Sequence, residues 1–322
     1  MINRFCNETC GLRFVDLHCD TISEMHDHPE QDHHITLDKL QSGGVVLQCF
    51  ALFTDLKGYE PPEKRAFELY GTFVEFLKKN RNRIALVRSW QDFIEIREKQ
   101  LVGALLTLEE GDVTFGDLEF LDTWYDLGVR MITLSWNHDN RLADASGLTE
   151  YGKRYVHRME ELGMVVDVSH LSDRAFRDVC EIATRPFVAS HSNARSLCNV
   201  SRNLTDDMIR AVAEHGGVIG LNFYARFLKE EGEDYSEVEE MIRHIRHIME
   251  VGGEDVIALG SDFDGISSRL ELRDAAGLHR LTDSMLKAGF TKDQVEKFSH
   301  ENAERVFREI LTDRSEVLQD VY

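Results

Sequence analysis

The chain has 322 residues, with 58 acidic against 37 basic side chains, a formal charge of −21, four prolines, 22 glycines and six cysteines. A charge of that sign and size repels phosphate backbones and anionic lipid heads, which excludes nucleic acid and a membrane surface as partners. No linker, low-complexity tract or internal repeat interrupts the chain, so residues 1–322 are expected to form one domain, at a length that an α/β barrel commonly reaches.

The first twelve residues, "MINRFCNETCGL", lack an apolar core of signal-peptide length and read as a flexible arm. No run of about 20 apolar residues occurs anywhere and the last residues carry no anchor-like tail, so a cytoplasmic protein is expected. Cys6 and Cys10 suggest half of a zinc site but have no second half. Six cysteines in a chain of this length without a secretory signal read as reduced thiols.

The first strand, "RFVDLH", runs into "CDTISEM" and packs a histidine and two aspartates into five positions. Continued as a strand, it would put Asp16, His18 and Asp20 on one face and Val15, Leu17 and Cys19 on the other. Seven further apolar runs of strand length follow: 44–52, 102–110, 129–137, 164–170, 186–192, 217–224 and 255–265. Between them lie segments with helical spacing, among them "EKRAFELYGTFVEFLKKN", "LEFLDTWYDLG", "GKRYVHRMEELG" and "DDMIRAVAEHGG", several ending in glycine. Near-continuous hydrophobic strands alternating with amphipathic helices indicate a parallel sheet, and a count of eight favours closure into a (β/α)8 TIM barrel.

That fold gives the motifs a common address. His18 and Asp20 follow strand 1, Glu109 and Glu110 end strand 3, and His170 and His191 end strands 5 and 6. Asp262 and Asp264 end strand 8. Taken singly, such a histidine is an ordinary loop residue, and an acid or serine such as Ser169 or Ser190 is a helix cap. Together they meet at the carboxyl ends of the strands, where barrel active sites lie, with the imidazole and carboxylate donors that zinc accepts.

With these residues in order, the chain resembles the membrane (renal) dipeptidases and their bacterial relatives within the amidohydrolase superfamily. The resemblance runs from "VDLHCDTI" through "LTLEEGD", "LGVRMITLSWN", "VVDVSHLS", "VASHSNARSL", "SRNLTDDMI", "GLNFY" and "LGSDFDGI" to "ENAERVF". It implies two zinc ions, one held by His18 and Asp20, the other by His170 and His191, with Glu109 bridging. Glu110 is the alternative bridge; Glu109 is preferred because it precedes Trp136 by 27 positions, the family's interval. The implied reaction is hydrolysis of a dipeptide to free amino acids by a hydroxide between the metals, with Asp262 as general acid and base, standing off the metals.

By the same resemblance Arg202 grips the substrate carboxylate and Tyr224 gives it, or the oxyanion, a second contact. One departure concerns strand 4, where the family's histidine is replaced by Trp136, followed by Asn137 and His138. If the strand continued, His138 would face the same side and act as a surrogate donor, while Trp136 would narrow the pocket. The resemblance allows a homodimer with "EVEEMIRHIRHIME" as an interface helix, although that segment reads first as a barrel helix with its charged face in water. Two other functions stay open on the sequence: hydrolysis of an N-acyl amino acid or lactone at the same site, and a barrel that binds without catalysis.

Overall fold

The computed structural model describes residues 11–59, 61–114 and 118–311. Cys6, Cys10 and most of the N-terminal arm lie outside them. Eight parallel strands close into a barrel: β1 Phe14–Asp16, β2 Val45–Phe53, β3 Val102–Glu109, β4 Val129–Thr133, β5 Val165–Asp167, β6 Val188–Ala189, β7 Val218–Leu221 and β8 Ile257–Leu259. Neighbours run β2, β1, β8, β7, β6, β5, β4, β3, and β3 returns to β2 through seven paired residues from Leu47 opposite Gly103 to Phe53 opposite Glu109. All eight expected runs supply a strand, although most strands are shorter than their apolar runs because the chain turns into loops before the run ends. One short strand, Ile84–Leu86, pairs with the start of β3 and was not expected, since three residues carry no readable period.

Two hydrophobic layers hold this arrangement. Inside the barrel, residues such as Val15, Leu47, Leu105, Met131, Val165 and Val218 pack together, each from a different strand. The helix Asn302–Ile310 adds Ala303, Val306, Phe307 and Ile310 to the same cluster. Asn302 donates to the carbonyls of Glu254 and Ile257, and Arg305 to that of Gly216, so this helix plugs the end where β7 and β8 begin. The larger apolar layer lies between sheet and helices. Gly220 and Gly260 lie back to back inside the sheet, where a Cβ on either would strike the Ser190 carbonyl.

Local rules fix the helix ends. Thr149 caps Glu150–Leu162 by accepting from the Gly152 amide, and Gly163 stops that helix at φ 72°. "EVEEMIRHIRHIME" forms the helix Val238–Gly252, whose Met241, His244, Ile245 and Ile248 are buried, as a barrel helix requires. Cys19, Cys49, Cys180 and Cys198 are free thiols. Among the described residues no helix is long and apolar enough to cross a membrane.

Candidate metal centre

Six side chains from five strand ends meet at the mouth of the barrel, and all are buried or nearly so. His18 and Asp20 follow β1, Glu109 ends β3, His170 and His191 follow β5 and β6, and Asp262 follows β8. His18 Nε2 lies 3.3 Å from Asp20 Oδ2, 3.5 Å from Glu109 Oε2 and 3.9 Å from Asp262 Oδ1. The other oxygen of Glu109, Oε1, lies 3.0 Å from His170 Nε2 and 3.5 Å from His191 Nε2. One oxygen of Glu109 thus faces His18 and the other faces His170 and His191, while the His18 and His191 rings stack 3.8 Å apart.

The hydrogen bonds around the imidazoles fix their tautomers. His170 Nδ1 donates to Asn137 Oδ1 at 2.8 Å. Ser190 Oγ donates to Asp167 Oδ2 at 2.6 Å and therefore accepts from His191 Nδ1 at 2.7 Å. Both Nε2 atoms then carry lone pairs, and they face each other across 2.8 Å. Two converging lone pairs need a cation, and three carboxylates with them need more than one charge. Asp20 Oδ1 is also buried without a hydrogen-bond partner. A Cβ on Gly265 would strike Asp20 Oδ2 and Asp262 Oδ1, so only glycine leaves those two carboxylates in place. Nitrogen and oxygen donors grouped in this way, with second partners orienting the rings, fit transition metal ions of the zinc type.

The electrostatics agree. Without a cation, burial and then repulsion from Asp20 push Glu109 up to about 8, and burial pushes Asp262 up to about 7. Burial alone would lower His18, but Glu109 and Asp20 outweigh it and hold the imidazole well above its ordinary value. His170 and His191 are driven well down, chiefly by burial, and so are neutral donors. Five of the six non-glycine residues with positive φ among the described residues rim this site: Glu110, Asn137, His170, Asp262 and Asp264. Backbone strain concentrated in one place is characteristic of functional sites.

Not every residue singled out in the sequence reaches the cluster. Asp16 does not, because β1 ends there and the alternation with it; its carboxylate instead accepts from the Ser261 amide at 2.9 Å and hydroxyl at 2.6 Å, tying β1 to β8. Glu110 turns away at φ 104° and holds the amides of Asp112 and Trp136 and the side chain of Asn140. Asp264 clamps the loop over the site by accepting from Thr21 Oγ1 and the amides of His34 and Ile35. His138 also stays outside. β4 stops at Thr133 and Asn137 bends the chain at φ 51°, so His138 Nε2 points to Asp55 Oδ1 at 3.7 Å and its ring lines a neighbouring cavity.

Asn137, Ser190, Asp167, Asn222 and Gly265 take part without having been assigned. The one signal for them was the repeated Ser-His pair at 169–170 and 190–191. Asn222 Nδ2 donates to Asp262 Oδ2 at 2.8 Å, leaving Oδ1 toward the cluster. The cavity above the cluster has a volume of about 430 Å³ and is lined in addition by Trp136, Arg202, Tyr224 and Phe227. Trp136 packs 4.7 Å from Phe53 and narrows it. Arg202 is lowered by burial but stays cationic, lies over Phe227 at 5.3 Å, and has a buried Nε without a hydrogen-bond partner. Such a site can bind two cations, hold a water beside a carboxylate base and anchor an anion.

Residues 8–319 match the family model for membrane dipeptidase, peptidase family M19. An uncharacterized protein in the pqqA 5' region of Klebsiella pneumoniae is 35% identical over 250 residues, 73% of this chain and 92% of that protein. An uncharacterized dipeptidase of Schizosaccharomyces pombe is 30% identical over 298 residues, 85% of this chain and 72% of that protein. Among solved structures, a metallopeptidase of family M19 named dipeptidase AC superposes with a TM-score of 0.88 at 25% identity, over 94% of this chain and 99% of that one. A metallopeptidase from Rhodobacter sphaeroides shares the fold with the same TM-score at 24% identity, over 93% and 99%.

Proposed function

Since the chain belongs to the membrane dipeptidase family and is therefore a metal-dependent peptide-bond hydrolase, we propose that it cleaves dipeptides into free amino acids with two zinc ions. His18 and Asp20 would hold one ion, His170 and His191 the other, and Glu109 both. When bound, zinc polarises a carbonyl and brings the pKa of a water to about 7. The observation that carries this reading is the Glu109 carboxylate, whose two oxygens face different histidine sets.

The protein's own groups do the rest. Asp262 takes a proton from the attacking water at Oδ1, the oxygen left free by Asn222, and returns it to the departing amine nitrogen. Arg202, a half-buried planar cation without a carboxylate partner among the described residues, binds the substrate carboxylate, and the Tyr224 hydroxyl adds a second donor. Trp136 restricts the volume, which favours a dipeptide over a longer peptide.

Elemental analysis of protein prepared without added metal, followed by kinetics on dipeptides beside N-acetyl amino acids, tests the reading. The expected result is about two zinc ions per chain and turnover of dipeptides. Full activity with a single ion, or a preference for the N-acetyl compounds, overturns it.

A further inference from the structure

We propose that this enzyme prefers dipeptides whose N-terminal residue bears a positively charged side chain, and that Glu24 is the residue that selects them. The inference rests on the dipeptidase reading of the same cavity.

The helix α1, Thr21–Asp27, begins immediately after Asp20, and Glu24 and Asp27 line the cavity together with Tyr59 and Arg65. Positions 20, 24 and 27 fall on one helix face, so the acids climb from the metal cluster toward the mouth. Asp20 belongs to the cluster. Asp27 is neutralised by Arg65, whose Nη1 donates to Oδ1 at 2.8 Å while its guanidinium lies 4.8 Å from the Tyr59 ring. Asp264 has three donors, and Asp262 is engaged by Asn222. Glu24 differs from all of these. It is partly buried in the wall, and no donor or cation among the described residues reaches its carboxylate.

Among the described residues, the one arginine or lysine lining the cavity without a carboxylate partner is Arg202, in the loop after β6. Around the barrel β6 is three strands from β1, by way of β7 and β8, so Arg202 and α1 stand across the mouth from each other. A dipeptide anchored by its carboxylate on Arg202 extends over the metal cluster and brings its N-terminal residue to α1. There the side chain meets Glu24, one turn, about 5.4 Å, beyond Asp20. That is a span the stems of lysine and arginine cover. A neutral side chain would leave the Glu24 carboxylate without a counterion in a partly desolvated wall. The formal charge of −21 acts in the same sense, because a dipeptide with one basic side chain is a net cation and is drawn toward the protein.

The test is the ratio of kcat/KM for L-Lys-L-Ala to that for the neutral isostere L-norleucyl-L-Ala, with L-Glu-L-Ala as the anionic arm. In the zinc-loaded wild type the ratio is expected to be about tenfold and to shrink as salt rises from about 0.05 to 0.5 M. Glu24→Gln is expected to bring the ratio to about one, and Glu24→Lys to make L-Glu-L-Ala the better substrate. Because each ratio is taken within one enzyme, partial loss of folded protein cancels. A wild-type ratio near one, or a ratio that survives in Glu24→Gln, overturns the assignment of Glu24 while leaving a dipeptidase. Failure of the wild type to cleave any of the three dipeptides overturns the dipeptidase reading and this inference with it.

Discussion

At the scale of single residues, the sharpest question is whether Asp262 is a base or a ligand, since its Oδ1 lies within 3.9 Å of His18 Nε2. Its oxygens lie close to those of Asp20, but its hydrogen bonding differs. Asp262 sits at φ 59° and offers Oδ2 to Asn222, which leaves one oxygen for a proton and holds the group in a fixed orientation. A ligating carboxylate would be a poor base, because two nearby cations lower its pKa. Asp262→Asn preserves shape and the Asn222 contact, so it should lower kcat by roughly a hundredfold or more with zinc content intact. Loss of zinc in that variant, measured by elemental analysis, would reassign Asp262 to the metal. The same scale shows where sequence reading loses force. Asp16, Asp20 and Asp264 are equally plausible in the chain, yet only Asp20 faces the cluster; the others spend their oxygens on Ser261 or on the loop at His34.

At the scale of elements, the strand ends were legible and the loops leaving them were not. Apolar runs of strand length announce the barrel, and a histidine or acid at the end of five of the eight runs announces the site, because both depend only on residue type and order. The loop geometry depends on φ values no pattern reveals. Asn137 at φ 51° brings its own side chain to His170 and sends His138 to Asp55, which reverses the expectation drawn from strand alternation. Ser190 and Asp167 escaped notice for a related reason: a serine beside a histidine reads as a cap until its hydroxyl is seen between His191 and a buried aspartate. The loop after β8 contributes space as well as the Asp262 carboxylate. Gly265 approaches Asp20 and Asp262 so closely that Gly265→Ala must displace one or both carboxylates. Its expected cost is roughly 10- to 100-fold in zinc affinity, the usual loss when the support of a metal site is disturbed. Competition with a chelating dye measures it directly, and an affinity equal to wild type would show that the loop moves freely to make room.

At the scale of the whole molecule, the packing of helices on the barrel introduces a pH limit separate from the metal centre. His244, on the helix Val238–Gly252, is fully buried and uses both ring nitrogens. Its Nδ1 accepts from the Ala194 amide at 3.1 Å and its Nε2 donates to the Leu228 carbonyl at 3.0 Å, so it joins that helix to the loops after β6 and β7. Protonation would put a second donor against the Ala194 amide. Burial first, with Arg243 and His247 adding repulsion, lowers its pKa to about 4 from an ordinary value near 6.5. The unfolded chain therefore binds this proton more readily than the folded one between those two values. The contribution is fully present above about pH 6.5 and is lost as pH falls toward 4, amounting to about 3 kcal/mol across the window. In denaturant unfolding at fixed saturating zinc, His244→Asn should start from lower stability at neutral pH but show a shallower decline on acidification. The difference in slope should approach one proton, about 1.4 kcal/mol per pH unit. Parallel curves for the two proteins between pH 6.5 and 4.5 would mean that the fold does not lower the His244 pKa, and acid sensitivity would then belong to the metal ligands and the remaining carboxylates.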